Sequence, residues 1–374
     1  KDMSSRGIIS TSEDANINAG QGFTHSGTIN AHKINIDTQG KISSFAGSKI
    51  EAEKTVSLKA QDSISTGGNI SAKEKADIFS GRAIKNAANM ASAAVDVTAK
   101  NGNIENSGIV YGQNKVNLDS SRGITNKGSI AGINVELVAK DGNVKTSGKI
   151  YGKEKIEINS SKGIANSGTI NGCIVDAIAA DGNINNSGTI SGHEKANLNS
   201  SKAITNTGLI NGGSLAVTAR DGNIETSGEI SAKESLYITS SKAVMNKGKI
   251  LGNIVDVTAK DGDINNRGCV QGQKSIKVES SKAITNTGTI SGGAMSIAAK
   301  GGSLTNSGTV AGRQRTELNS SKAITNSGTI KGGALGIVAA DGNIENKGTV
   351  YGEQKATVSS SLGLNNTGTI NGGI

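Results

Sequence analysis

Four sets of residues in this sequence could do chemistry, and their spacing limits what each can do. Asp-Gly-Asn and Asp-Gly-Asp stretches recur, as at Asp221–Asn223 and Asp261–Asp263. Carboxylates beside glycine suggest calcium, which takes six or more oxygen ligands. Each stretch offers little more than one carboxylate, and the Gly-Gly-x-Gly-x-Asp pattern of calcium-binding nonapeptides is absent. Tight turns are the expectation, with no metal and no cofactor. His25, His32 and His193 share no motif. Cys173 and Cys269 are separated by four to five repeats, roughly 20 Å at one strand spacing per repeat. That exceeds disulfide reach, so both are expected as thiols. Tyr111, Tyr151 and Tyr351 share a turn position, where a sugar could stack, but Ser191, Ser231, Gln271 and Ala311 interrupt the series. Glycosidic bond cleavage needs clustered acids in a cleft. Every turn here is short and repeated, so no catalytic residue is assigned and the chain is expected not to be an enzyme. Polysaccharide lyases are the enzymatic alternative.

The elements that carry these residues repeat. Val255 to Ile290 reads VDVTAKDGDINNRGCV and then QGQKSIKVESSKAITNTGTI, and nearly all of the chain is that pair of lines written again. A line is about 20 residues and a pair about 40, a period that means a solenoid. Apolar residues fall in columns. One runs through Ile190, Ile210, Ile230 and Ile250, a second through Ile184, Ile204 and Ile224, and a third is an alternating pair such as Val255 and Val257 or Ile276 and Val278. Alternation of β-branched residues reads as strand with one buried face. Glycine frequency and period two exclude helix.

Between the second and first columns stands Asn-x-Gly. Its glycines include Gly168, Gly188, Gly208, Gly268, Gly288, Gly308 and Gly328, and its asparagines Asn186, Asn206, Asn266, Asn286, Asn306 and Asn326, with Thr146 and Thr226 as exceptions. Such a glycine fits either a positive φ or a corner too tight for a side chain. Stacked asparagines can pass amide hydrogen bonds from coil to coil. These residues are expected to form a structural corner ladder.

The fold class that follows is all-β, a parallel β-helix of about 20 residues per coil with a 40-residue double-coil repeat. Each coil is expected to hold three short strands and three turns, and the crossover preference makes the helix right-handed. About 18 coils at one strand spacing each give a rod of roughly 85–90 Å. One coil buries too little to fold alone, so stability comes from stacked neighbours. The two lines of a pair differ by one residue in the place of their inward side chains, a slip that would turn a strand over. It must be absorbed after the long strand of the first line, at Asp261–Gly262, and before that of the second, in Gln271 to Ser275. The slip also brings the Asp place (Asp181, Asp221, Asp261, Asp341) over the Lys place (Lys162, Lys202, Lys242, Lys282, Lys322), so Lys and Asp should alternate along one corner.

Residues 1–90 are expected as irregular leading coils and 91–374 as regular repeats of the same continuous domain. FAGSKI (Phe45 to Ile50) has one residue more than the usual ending, and KNAANM (Lys85 to Met90) puts Ala88 and Met90 where Gly and Ile are expected. Proline is absent among 374 residues, which suits unbroken hydrogen-bond ladders. The net charge of +9 comes with interleaved acids and only 2% aromatic residues. A nucleic-acid partner would want a basic stripe with aromatic stacking, so none is expected. No apolar run is long enough for a membrane span, and none within this stretch is expected to be a signal peptide. A start at Lys1 and a stop inside a repeat suggest a segment of a longer chain.

Strand, Asn-x-Gly-x-Ile, Gly-Gly and the next strand, as in ITNTGTISGGAMSIAA (Ile284 to Ala299) and ITNSGTIKGGALGIVA (Ile324 to Ala339), resemble the haemagglutinin repeats of filamentous-haemagglutinin-like exoproteins. The resemblance covers nearly the whole chain from about His25. It implies a secreted rod at the bacterial cell surface, exported through an outer-membrane transporter by two-partner secretion. Such rods serve as adhesins or as stalks of contact-dependent inhibition toxins. Binding to a target-cell receptor or glycan would then fall to regions outside this segment, or, alternatively, to the face of the rod itself.

Overall fold

In the computed structural model, which describes residues 1–373, the chain is an all-β parallel solenoid of about 18 coils with about 20 residues each. Two compact units divide it, one of Lys1–Gly182 and Gly188–His193, the other of Asn183–Ser187 and Glu194–Ile374.

In the first unit, a coil starts with the short strand Val144–Thr146, turns, and continues into the long strand Lys149–Ser160. Both pair in parallel with equivalents in the coils on either side, as Val144 with Ile124 and with Ile164. Val144, Ile150, Ile156 and Ile158 point inward and are buried. The second unit repeats this. The short strand Ile264–Asn266 leads into Cys269–Ser280, and Ile264, Val270, Ile276 and Val278 fill the interior. Outward residues of the same strands are polar or small, which is why the alternation is legible.

The expectation of three strands per coil needs correction. There are two, because the first and third columns lie on one long strand that bends after a glycine, as at Gly272. Pairing survives the bend as a bulge, since glycine lets the strand turn without losing its ladder. Where the bend is sharper the strand divides, into Glu229–Ala232 and Ser235–Ser240 or into Thr309–Gly312 and Arg315–Ser320.

The one-residue slip is absorbed at both expected places. Gly252 pairs with Gly272, but Ile254 pairs with Ser275, so the extra residue of the second line lies between Gly272 and Ser275. Val255 then meets Ile276 and Val257 meets Val278. Ala259 pairs with Ser280 while Ile264 pairs with Ile284, so the first line returns the residue at the Asp-Gly turn.

The insertion at FAGSKI is two residues, not one. Phe23 pairs with Ile42 and Thr28 with Lys49, which makes the upper step two residues longer than the lower. The surplus is spent in a turn from Phe45 to Ser48, closed by Ser48 N–H donating to Phe45 O at 3.1 Å. Gly47, third in that turn, has a φ of 84°. This is the type II geometry that requires glycine. Ala88 and Met90 take the places of Gly and Ile within the ordinary register, both buried.

Candidate functional site: the Asn-x-Gly corner

The asparagine column is buried, and within each unit its side chains form runs of hydrogen bonds, one run of the second unit ending on Thr226 and the next starting at Asn246. In the second unit Asn186 Nδ2 donates to Asn206 Oδ1 at 2.8 Å, and Asn206 Nδ2 to Thr226 Oγ1 at 3.3 Å. Asn246 donates to Asn266, Asn266 to Asn286 and Asn286 to Asn306, each at 2.7 Å. Asn306 donates to Asn326 and Asn326 to Asn346 at 2.8 Å. In the first unit Asn86, Asn106 and Asn126 form the same chain, ending on Thr146 Oγ1 at 3.2 Å. Each amide also reaches a backbone carbonyl, as Asn286 Nδ2 to Thr309 O at 3.2 Å. Asn166 Nδ2 reaches Thr189 O at 3.0 Å. Threonine fits as an exception because its hydroxyl accepts where an amide oxygen otherwise would.

The glycine beside each asparagine is there for space. None of these glycines has a positive φ. A Cβ on Gly268 would stand 2.0 Å from Gly248 O, on Gly168 2.0 Å from Gly148 O, and on Gly188 2.1 Å from Gly168 O. Gly288, Gly308 and Gly328 would meet the carbonyl of the preceding corner glycine at 2.0–2.1 Å. The backbone itself joins the coils here, since Gly208 N–H donates to Asn186 O at 3.3 Å and Gly268 N–H to Asn246 O at 3.2 Å.

A second corner holds residues that the sequence reading did not single out. Ser280 is buried, and its hydroxyl donates to Gly262 O at 2.6 Å in the coil before. Ser240 bonds Gly222 O in the same way at 2.7 Å. The signal was present: serine stands here in the second lines from Ser80 onward, with Thr38 before them, and alanine in the first lines, as at Ser280 and Ala259. The Asp-Gly stretches also serve the next coil. Asp263 Oδ1 accepts from Ala283 N at 3.0 Å and Asn223 Oδ1 from Ala243 N at 3.1 Å. Among the described residues no three His, Cys, Asp or Glu side chains group as a metal site.

His25 occupies the asparagine place of its coil, between Ser5 and Ser44. It is fully buried beside Phe23, with ring centroids 6.1 Å apart, and its Nε2 donates to Lys49 O at 3.1 Å. HSGTI in place of NSGTI carried that signal. His32 and His193 stand elsewhere; His32 Nδ1 lies 3.3 Å from Glu53. Tyr111 and Tyr151 point outward with Ala131 between them, and Tyr351 is exposed in the other unit. Cys269 is half-buried, and that burial raises its thiol pKa, with nearby Lys249 pulling the other way. Cys173 is half-buried as well.

The Lys and Asp places do share a corner, since Lys162 N–H donates to Gly142 O beside Asp141. Lys162 and Asp141 pair at 3.3 Å, while Lys242, Lys282 and Lys322 close no such pair. Charges meet instead on the outer face of the long strand. Lys277 reaches Asp256 at 3.6 Å and Glu279 at 3.4 Å, and Glu279 also holds Lys300. That hydrogen bond from Lys300 holds the Glu279 carboxyl below its usual range, against the opposing effect of burial, and Lys277 adds to the shift.

Haemagglutinin repeats are matched over residues 1–44, 34–91, 250–302 and 291–348, which together span just over half of the chain. No curated protein and no solved structure matches it.

Proposed function

Because the chain belongs to the haemagglutinin-repeat family, we propose that it is the structural stalk of a secreted exoprotein, whose output is distance from the cell that displays it. The family is structural and adhesin-like rather than enzymatic, and its members are typically secreted. The observation that carries the reading is the corner ladder. The same buried asparagine and the same side-chain-free glycine recur coil after coil, so the polar groups at this corner are used up in joining coils. In this reading an outer-membrane transporter exports the protein by two-partner secretion. An adhesive or toxin-bearing tip outside this segment meets the target cell through a receptor or glycan.

The test is deletion of one whole pair, Gln271 to Val310, from the secreted full-length protein. Val270 then joins Ala311, which opens a second-type line as Gln271 does. Target-cell binding or killing is expected near the unmodified level, with secretion still dependent on the cognate transporter. Loss of activity from a chain that is folded and secreted overturns the stalk reading.

A further inference from the structure

Gly336 differs from the corner glycines in having no structural need to be glycine. Its φ is not positive, and an added Cβ would meet nothing nearer than Glu317 Cγ at 4.0 Å. It sits mid-strand in Thr329–Ala339, where glycine costs backbone entropy. Glycine inside a strand marks places where a ligand or another backbone comes close. Here it opens a notch of 310 Å³ on the outer face of the second unit. That is the lower end of the range for small-molecule sites.

The pairing register defines the walls. Arg315 and Lys355 flank Ala334, and Glu317 and Thr357 flank Gly336. Each flanking pair is two strand spacings apart, about 9.6 Å, which leaves room for one pyranose ring. Arg315 pairs with Glu317 on its own strand, so both are held at one wall. Lys355 opposite makes no ion pair with any described residue. We propose that this notch is a subsite for one carboxylate-bearing sugar residue, a hexuronate. Lys355 takes the carboxylate. The remaining lone pairs of Glu317 and the hydroxyl of Thr357 take ring hydroxyls. The backbone of Gly336 and the methyl of Ala334 form a flat floor under the C–H face of the ring. A neutral sugar leaves Lys355 unpaired, and a bare carboxylate leaves the floor and the hydroxyl partners unused.

D-glucuronate titrated into the whole chain, with glucose and acetate as comparators, tests this by amide chemical shifts of the strands carrying Arg315, Gly336 and Lys355. Glucuronate is expected to saturate in the millimolar range, with each comparator about tenfold weaker. Lys355→Met and Gly336→Leu are each expected to weaken glucuronate about tenfold, with thermal unfolding not lowered. If Gly336→Leu fails to fold, Lys355→Met decides. Absence of saturable shifts, equal binding of acetate or of glucose, or full affinity in the folded variants overturns the proposal. The pair deletion that tests the stalk reading leaves the notch residues in place, so the two can fail separately.

Discussion

Asn286 engages both ends of its side-chain amide, accepting from Asn266 and donating to Asn306, Gly288 O and Thr309 O. Removing it leaves buried partners on both neighbouring coils without a hydrogen bond, a loss of roughly 1–3 kcal/mol. Asn286→Ala is therefore expected to lower protection from hydrogen exchange in the coils on both sides. Asn286→Thr should recover part of it, as Thr146 and Thr226 already serve in this column. Thr316 makes the opposite case. It is buried at an interior place, paired with Met295 and Leu335, and its hydroxyl has no partner. Thr316→Val keeps the shape and removes an unsatisfied polar group, so the chain should gain on the order of 1 kcal/mol, read as a higher urea midpoint. The ion pairs contribute less and depend on pH. The folded pKa of Glu279 is lowered, so its stabilisation is complete above the unfolded carboxylate pKa and fades as pH falls through the lowered value. The pair is partly exposed and worth about 0–1 kcal/mol. Lys300→Met should flatten the acid side of the stability curve by that amount, measured by urea unfolding from neutral pH down through the carboxylate range.

At the scale of the element the two lines of a pair are partners rather than copies. Ser280 of the second line bonds Gly262 of the first, and the first line's extra corner residue offsets the second line's bulge. Deleting the single line Gln271 to Ile290 places two first-type lines together and loses the serine bond, because alanine stands at that place in first lines. A cost of about 1–3 kcal/mol is expected, seen as a lower unfolding midpoint, whereas deleting the whole pair from Gln271 to Val310 should leave the midpoint close to its original value. Much of this was legible in the sequence, because an interior column such as Ile276 and Val278 shows directly as alternation, and a one-residue slip must be compensated if both lines keep their apolar side inward. The strand count was not legible, since Gly272 reads equally as a turn or as a bend within one strand. The charge partners were not legible either. Lys277 reaches along its own strand to Glu279 and Lys300 reaches diagonally to the same carboxylate, contacts that depend on side-chain reach after the register is fixed. The choice between positive φ and tight space at the corner glycines needed backbone positions, and the carbonyl of Gly248 beside Gly268 supplies the answer.

For the molecule as a whole, the proposed stalk role requires length to be a linear function of pairs. Each pair contributes two strand spacings, about 9–10 Å, and its corners hand on the same hydrogen bonds at either end. The most direct measurement is the length of the purified chain by electron microscopy across a series lacking none, one or two whole pairs. The account predicts folded particles that shorten by about 9–10 Å per pair removed. Particles that keep their length, or that lose their fold when a whole pair is removed, would contradict it.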